Sequence, residues 1–331
     1  MDTLTHGLSG ALVGRALSKR AKIVTPTACI VTGALAGTFP DFDIIFKILG
    51  NEAYLWNHRG ITHSLFFLPF WAALISIFLA WIFTKSSKPN RWFQHSEIKY
   101  NKLDVFKDIY LISALGIFVH ILGDLITSFG TMMLWPNMTR YEFGSVFIID
   151  LFFTGIIILG LLLSWKFGDT TKKKANIAIF ASLLLVSYVG FTQYMRELSK
   201  DFMVERIQVE YPELKNNKNI IFDSKPQMFL PTNWTGIAYD KSAEKYYYLP
   251  IDLLNTKNHW KEISVFNKWG SMNTDRSKVV FEHPKMEFAR WFVQYPYVLS
   301  EDDKCVMFSD LRYKSPFRGK NPFSYGLCDD K

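Results

Sequence analysis

Residues 58–83 read HRGITHSLFFLPFWAALISIFLAWIF, a cluster of ionisable and hydroxyl side chains that passes without a break into an apolar run. From position 61 to position 83 the run holds no Asp, Glu, Lys or Arg. Its length is that of a helix crossing a hydrocarbon core of about 30 Å. A membrane helix with His58, Arg59, Thr62 and His63 at one end therefore sets the frame for the rest of the chain.

Working outward, three further stretches match this scale: residues 109–126, 146–165 and 175–194. They are predicted as spans, the first carrying His120 and Asp124 near its end. Residues 4–17 and 23–39 are apolar but shorter and rich in Gly, Ala, Ser and Thr, a composition that permits close helix packing within a bundle. The expected fold class is thus an all-α membrane bundle of four long spans plus two short N-terminal helices, followed by a smaller α+β or mainly β soluble domain. The expected domains are residues 1–195 and 196–331. In the second, residues 246–249, 279–281 and 306–308 read as strands between Pro, Gly and Asn punctuation.

The 331-residue chain carries a net charge of +8. Its Lys and Arg residues flank the apolar runs, as topology-setting charges do, which argues against nucleic acid as a partner. The segment from Lys85 to Lys107 and the link holding Lys166, Lys172, Lys173 and Lys174 are expected on the cytoplasmic side. The loop 127–145 has only Arg140 as a base and is expected outside, as is the C-terminal domain. Of three cysteines, Cys29 lies in an apolar stretch, while Cys305 and Cys328 lie in the polar half. That pattern excludes a cysteine-based zinc finger and permits one disulfide in an extracytoplasmic domain.

On this topology, derived from Lys and Arg alone, four distant segments bring their polar residues to one depth. They are His6 with Asp2, Asp41 and Asp43 in Phe39-Pro40-Asp41-Phe42-Asp43, His58 to Ser64, and His120 with Asp124. An ionisable side chain at bilayer depth is costly and faces a partner in the bundle interior. His120 and Asp124, four apart, share one helical face, as do Asp2 and His6. Imidazole nitrogens with carboxylate oxygens suit a divalent ion, zinc foremost and also iron or manganese. Singly, each motif has a plainer reading: Pro40-Asp41 as a turn with a capping Asp, His58-Arg59 as interfacial snorkelling. Their clustering points to a metal site. Asp150 reads as a helix start, and His95, His259 and His283 as surface residues.

Five strings resemble the YdjM-like (YfhP/YbcI-type) inner-membrane proteins described as membrane-bound metal-dependent hydrolases. They are Asp2-Thr3-Leu4-Thr5-His6-Gly7, Phe39 to Asp43, His58-Arg59-Gly60-Ile61-Thr62-His63-Ser64, His120 to Asp124 running into Thr127-Ser128-Phe129-Gly130-Thr131, and Ser309-Asp310-Leu311-Arg312-Tyr313. The resemblance implies a multi-pass protein of a bacterial inner membrane and a metal-dependent hydrolase. A looser similarity, of the His-x3-Asp and Pro-Asp strings, is to zinc-dependent phospholipase C enzymes. This chain has fewer histidines than a trinuclear site needs.

The leading expectation is a hydrolase at the outer membrane–water interface. His6, His63, His120 and Asp124 are its first ligands. Asp41, Asp43 and His58 serve as further ligands or as the base. Arg59 either holds an anionic group or anchors to a lipid headgroup. The location points to a lipid or lipid-linked ester or phosphoester as substrate. Two rivals remain: a transporter lined by the same residues, and a non-enzymatic membrane protein whose outer domain binds a partner. Trp291-Phe292 and Asp310-Leu311-Arg312 either pack onto the membrane half or, the favoured reading, belong to the domain core.

Overall fold

The computed structural model describes residues 1–255, 262–270, 274–314 and 323–328; His259 lies outside them. The chain forms two compact units, Met1–Phe191 and Thr192–Lys331.

The first unit is helical. Helix α1 (Thr3–Leu17) starts at Asp2, whose carboxylate accepts from the Thr5 amide at 3.0 Å, and α2 (Pro26–Thr38) starts at Thr25, which caps Ala28, with Pro26 in its first turn. These are ordinary N-caps satisfying otherwise orphaned amides. The two helices touch backbone to backbone: a Cβ on Gly10 would lie 2.0 Å from the Gly33 carbonyl oxygen, and one on Gly33 would lie 2.1 Å from that of Gly10. Only glycine permits this approach, and it draws α1 and α2 into one tight pair.

After α2 the chain tightens into a 3₁₀ segment, Phe39–Leu49, followed by α3 (Asn51–Asn57). Helices α4 (Leu68–Lys85), α5 (Pro89–Trp92), α6 (Lys102–Leu125), α7 (Leu151–Phe167) and α8 (Thr171–Glu210) follow. A buried hydroxyl pair, Ser76 to Ser113 at 2.9 Å, joins α4 to α6. The basic link between α1 and α2 is pinned to α6, because the amides of Lys22, Ile23 and Val24 all donate to the Asp108 carboxylate at 2.9–3.0 Å.

Among the described residues, four helical stretches are long and apolar enough to cross a membrane: Pro26–Leu49, Leu68–Lys85, Lys102–Leu125 and Thr171–Glu210. The boundaries depart from expectation in several places. The second short helix, expected over 23–39, continues as the 3₁₀ segment to Leu49, and α6 begins at Lys102 rather than 109. After a 3₁₀ turn at Ile61–His63, the first long run becomes α-helical only at Leu68. Upstream of it the chain bonds sideways to residues 132–135, Leu65 amide to Met133 carbonyl at 3.0 Å and Ser64 hydroxyl to Trp135 carbonyl at 2.9 Å. The run 146–165 yields the 17-residue α7, because Asp150 caps Phe153 and starts the helix there. The last helix runs on to Glu210, past the expected boundary at 195.

The second unit holds two small antiparallel sheets. β1 (Ile220–Pro226), β2 (Asn233–Asp240), β3 (Lys245–Asp252) and β4 (Ser264–Asn267) form one in sequence order; β5 (Pro296–Glu301), β6 (Cys305–Asp310) and β7 (Ser324–Cys328) form the other. Between them lie α9 (Thr274–Glu282) and α10 (Glu287–Phe292). The reading of residues 279–281 as a strand is corrected, since they end α9. The Val-Val-Phe run suggested β structure, but Ser277 and Phe281, four apart, are the buried positions and Val279 is exposed, a helical period. The C-terminal turns of α8 supply Met203 and Ile207 to the core around Trp234 and Leu249. Phe292 is a core residue, and Asp310 and Arg312 form a buried ion pair at 2.7 Å. Cys305 and Cys328 face each other across β6 and β7 and are disulfide-bonded. His95 and His283 are exposed, as expected.

Candidate metal centre

Five segments of the first unit deliver side chains to one buried cluster. Helix α1 brings His6, the 3₁₀ segment brings Asp41 and Asp43, residues 58–63 bring His58, Arg59 and His63, α6 brings His120 and Asp124, and the loop after α6 brings Thr127. His6, His63, His120 and Asp124 are all 1 % exposed or less. Apart from Asp2 and Ser64, the polar residues singled out from the four motifs meet here; the Asp2 carboxylate is spent on Thr5, capping α1, and the Ser64 hydroxyl on the Trp135 carbonyl.

Asp124 is the hub. Its Oδ1 lies 3.1 Å from His6 Nε2 and 2.8 Å from Arg59 Nη2, and the amino group of Met1 also bonds to it. Its Oδ2 lies 3.0 Å from His63 Nε2 and 3.5 Å from His120 Nε2, yet no directed hydrogen bond reaches it. Asp41 adds Oδ1 at 3.6 Å from His120 Nε2, and its Oδ2 is likewise buried without a hydrogen-bond partner. His63 and His120 point their Nε2 atoms at each other, 3.0 Å apart.

The tautomer of His120 follows from its neighbour. Nδ1 lies 2.7 Å from the Gly37 carbonyl oxygen, which can only accept, so Nδ1 carries the proton and Nε2 presents its lone pair to the cluster. A ring nitrogen fixed by a backbone carbonyl is the usual support of a metal-ligating histidine. The His6 ring stacks on that of His120 with centroids 3.6 Å apart. Gly123 makes room for it: a Cβ there would approach His6 Cε1 to 3.1 Å.

The donor set fits a divalent ion. His6, His120 and Asp124 offer ligand atoms within 4.8 Å of one another, as do Asp41, His63 and His120. Two ligands bonded tetrahedrally at zinc distances stand about 3.3 Å apart. The separations among His63, His120, Asp124 and Asp41 given above, 3.0–3.6 Å, match that edge. Asp124 and Asp41 each also carry a buried carboxylate oxygen without a hydrogen bond, costly in isolation.

Asp43 and His58 stand one layer back. His58 Nδ1 lies 3.1 Å from both Asp43 oxygens, and Asp43 Oδ2 also accepts from the Arg59 amide at 2.9 Å and lies 3.7 Å from His63 Nδ1. With its oxygens so engaged, Asp43 stands behind the close donor group rather than within it. Its bond to the Arg59 amide also holds that residue at φ +62°, a strained conformation for a side chain of this size. Arg59 is buried, its guanidinium turned inward onto Asp124 and Thr127 and 4.7 Å above the Phe129 ring. The lipid-headgroup reading of Arg59 is therefore corrected: its charge is consumed inside the cluster, where Asp124 demands a counterion. Sequence reading missed Gly37 and Gly123, whereas Thr62, already marked at the head of the first long run, places its hydroxyl 3.0 Å from His63 Nδ1. Gly123 stood inside a motif already marked, while Gly37 acts through its backbone, which leaves no side-chain signal.

The model of the YdjM inner membrane protein family matches residues 1–198. The chain is also similar to the uncharacterized protein YfhP of Bacillus subtilis (strain 168), at 26 % identity over 145 residues, which are 43 % of this chain and 39 % of that protein. The matched stretch is thus well under half of that relative. No solved structure matches. The family match takes in the whole helical unit, every residue of the cluster and more than half of the chain, and on that ground this protein belongs to the YdjM inner membrane protein family.

Proposed function

We propose that this inner membrane protein is a metal-dependent hydrolase acting on an ester or phosphoester of a lipid or lipid-linked molecule. One observation carries the reading: three imidazoles and two carboxylates from distant segments converge in a buried cluster while Asp124 Oδ2 and Asp41 Oδ2 lack hydrogen bonds. His6, His63, His120, Asp124 and Asp41 would hold a divalent ion, zinc foremost. When bound, such an ion supplies a polarising charge that lowers the pKa of water and draws electron density from a carbonyl or phosphoryl oxygen.

The chain's own residues do the remaining work. Gly37 and Thr62 orient the His120 and His63 rings. Arg59 offsets the negative charge of Asp124 from the Oδ1 side, leaving Oδ2 for the ion. His58, held at Nδ1 by Asp43 and less deeply buried than His6, His63, His120 and Asp124, accepts the proton of the attacking water at Nε2 and returns it to the leaving oxygen. The apolar bundle around the cluster supports a substrate drawn from the bilayer.

The lysine asymmetry of the loops and the Cys305–Cys328 bond together support a C-terminal domain outside the cytoplasm. The test is metal analysis of the purified full chain joined to hydrolysis of chromogenic phosphate and carboxylic esters. We expect about one or two ions per chain, activity lost to a chelator and restored by zinc or manganese. A metal-free protein whose His63→Ala and His120→Ala forms keep full function in cells overturns the reading.

A further inference from the structure

We propose that the groove between α4 and α6 is a binding site for one anionic phospholipid, separate from the metal cluster. The groove has a volume of about 630 Å³ and is lined by Leu74, Phe78, Trp81, Leu103 and Phe106, with Lys102 as the ionisable residue of its wall. Lys85 adds a second ammonium at the same end, its Nζ 4.9 Å above the Trp81 ring. Both lysines are exposed.

The occupant follows from this distribution of charge. The length of the groove is apolar, which suits an acyl chain, while both cations stand at one end, where a phosphate headgroup would lie. A helix of a partner protein would need apolar contact throughout and would gain nothing from two lysines at one rim. A zwitterionic lipid would gain less than an anionic one, because basic residues at the membrane surface attract net negative charge. Asp104, on the same turn of α6, is the nearby acid in the sequence; Asp108, one turn on, is engaged by three backbone amides. Ser76 and Ser113 lock α4 against α6, so the groove is part of the packed bundle. Along α6, Lys102 stands about 27 Å from His120, so the two sites occupy opposite ends of the helix and fail independently.

Trp81 is a built-in reporter. The full chain, reconstituted in phosphatidylcholine vesicles, is titrated with brominated phosphatidylglycerol or brominated phosphatidylcholine, and the Trp81 contribution is isolated by subtracting the Trp81→Phe protein. We expect phosphatidylglycerol to quench Trp81 at on the order of tenfold lower mole fraction than phosphatidylcholine. Lys85→Gln/Lys102→Gln should abolish that preference while leaving phosphatidylcholine quenching unchanged. Equal quenching by the two lipids in the unaltered protein, a comparison that needs no folded lysine variant, overturns the proposal. So does a preference that survives in a folded double variant.

Discussion

His63 and His120 turn their Nε2 atoms toward each other at 3.0 Å while the opposite nitrogen of His120 is held by the Gly37 carbonyl at 2.7 Å. Two imidazole nitrogens at this separation need a proton or a cation between them, since two facing lone pairs repel. Asp124 Oδ2 lies 3.0 Å from His63 Nε2 and Asp41 Oδ1 3.6 Å from His120 Nε2, so two carboxylates border the same pair. Replacing either ring by alanine removes a ligand and leaves the other without its partner. His63→Ala and His120→Ala are each expected to lower the bound divalent ion to trace level, measured by elemental analysis of the purified full chain. Retention of metal in both variants would remove these residues from the ligand set.

Asp43 tests the supporting layer. It touches His58, the Arg59 amide and, at 3.7 Å, His63, so it aims the ring and the strained turn without belonging to the closest donor group. Asp43→Asn keeps the shape but weakens the hold on both histidines. The expected loss of metal affinity is about 10–100-fold, the range for residues that orient a ligand. Competition with a coloured chelator measures it, and an unchanged affinity would make Asp43 a turn residue only.

Much of this site was legible because membrane burial makes polarity informative. His120 and Asp124 at four-residue spacing in an apolar run, and His58 to Ser64 at the head of another, announce themselves against a lipid-compatible background. The helix ends were less legible. Pro69, in the first turn of α4, marks the α-helix as starting there. Nothing local, however, shows that Ile61–His63 form a separate 3₁₀ turn whose continuation, Ser64 and Leu65, is tied to residues 133 and 135, about seventy positions away. The role of Arg59 was hidden for a related reason: an Arg beside a His at a helix mouth looks alike whether it faces headgroups or a buried carboxylate. In the second unit, residues 279–281 show the limit of composition, where β-branched residues sit in a helix because Ser277 and Phe281 are the positions that pack.

The α1–α2 contact predicts a sharp contrast between two glycines. A methyl group on Gly10 would meet the Gly33 carbonyl oxygen at 2.0 Å, a clash with backbone that no rotamer relieves, whereas Gly155 of α7 has nothing within 4 Å. Gly10→Ala is expected to cost about 3 kcal/mol, the upper end for overpacking. It should also displace His6, which rides on the same helix, and so reduce metal binding. Gly155→Ala should be neutral or stabilising by up to about 1 kcal/mol, as alanine favours helix. Thermal unfolding in detergent distinguishes the two, and equal midpoints would contradict the close-packed pair.

Orientation of the second unit has its own check. A periplasmic-type reporter fused after the last residue should be active, and alkylation of the unreduced, denatured protein should label Cys29 but neither Cys305 nor Cys328, which are bonded to each other. The disulfide closes a loop of about two dozen residues and should contribute roughly 3 kcal/mol. Activity from a cytoplasmic-type reporter instead would reverse the orientation.

The last prediction concerns acid. In the second unit burial opposes ionisation of Asp223, but the ammonium of Lys225 foremost, with the Tyr295 hydroxyl and the Arg196 guanidinium, overcomes it and holds the carboxyl down at about 2. Arg196 and Lys225 stand 2.5 and 2.9 Å from its oxygens and Tyr295 2.5 Å. A carboxyl depressed in the folded state from its ordinary 3.8 contributes stability above that value and loses it as pH falls towards 2. The contribution at neutral pH is about 2 kcal/mol. Asp223→Asn should therefore lower the unfolding midpoint of the full chain at pH 7, since it removes the negative charge that Arg196 and Lys225 face. Between pH 4 and 2, by contrast, the variant and the parent should converge. Tryptophan fluorescence follows the transition, since Trp234 is buried on β2, which pairs with the strand bearing Asp223. A constant difference between the two proteins across that acid range would mean that Asp223 does not carry its charge in the folded unit.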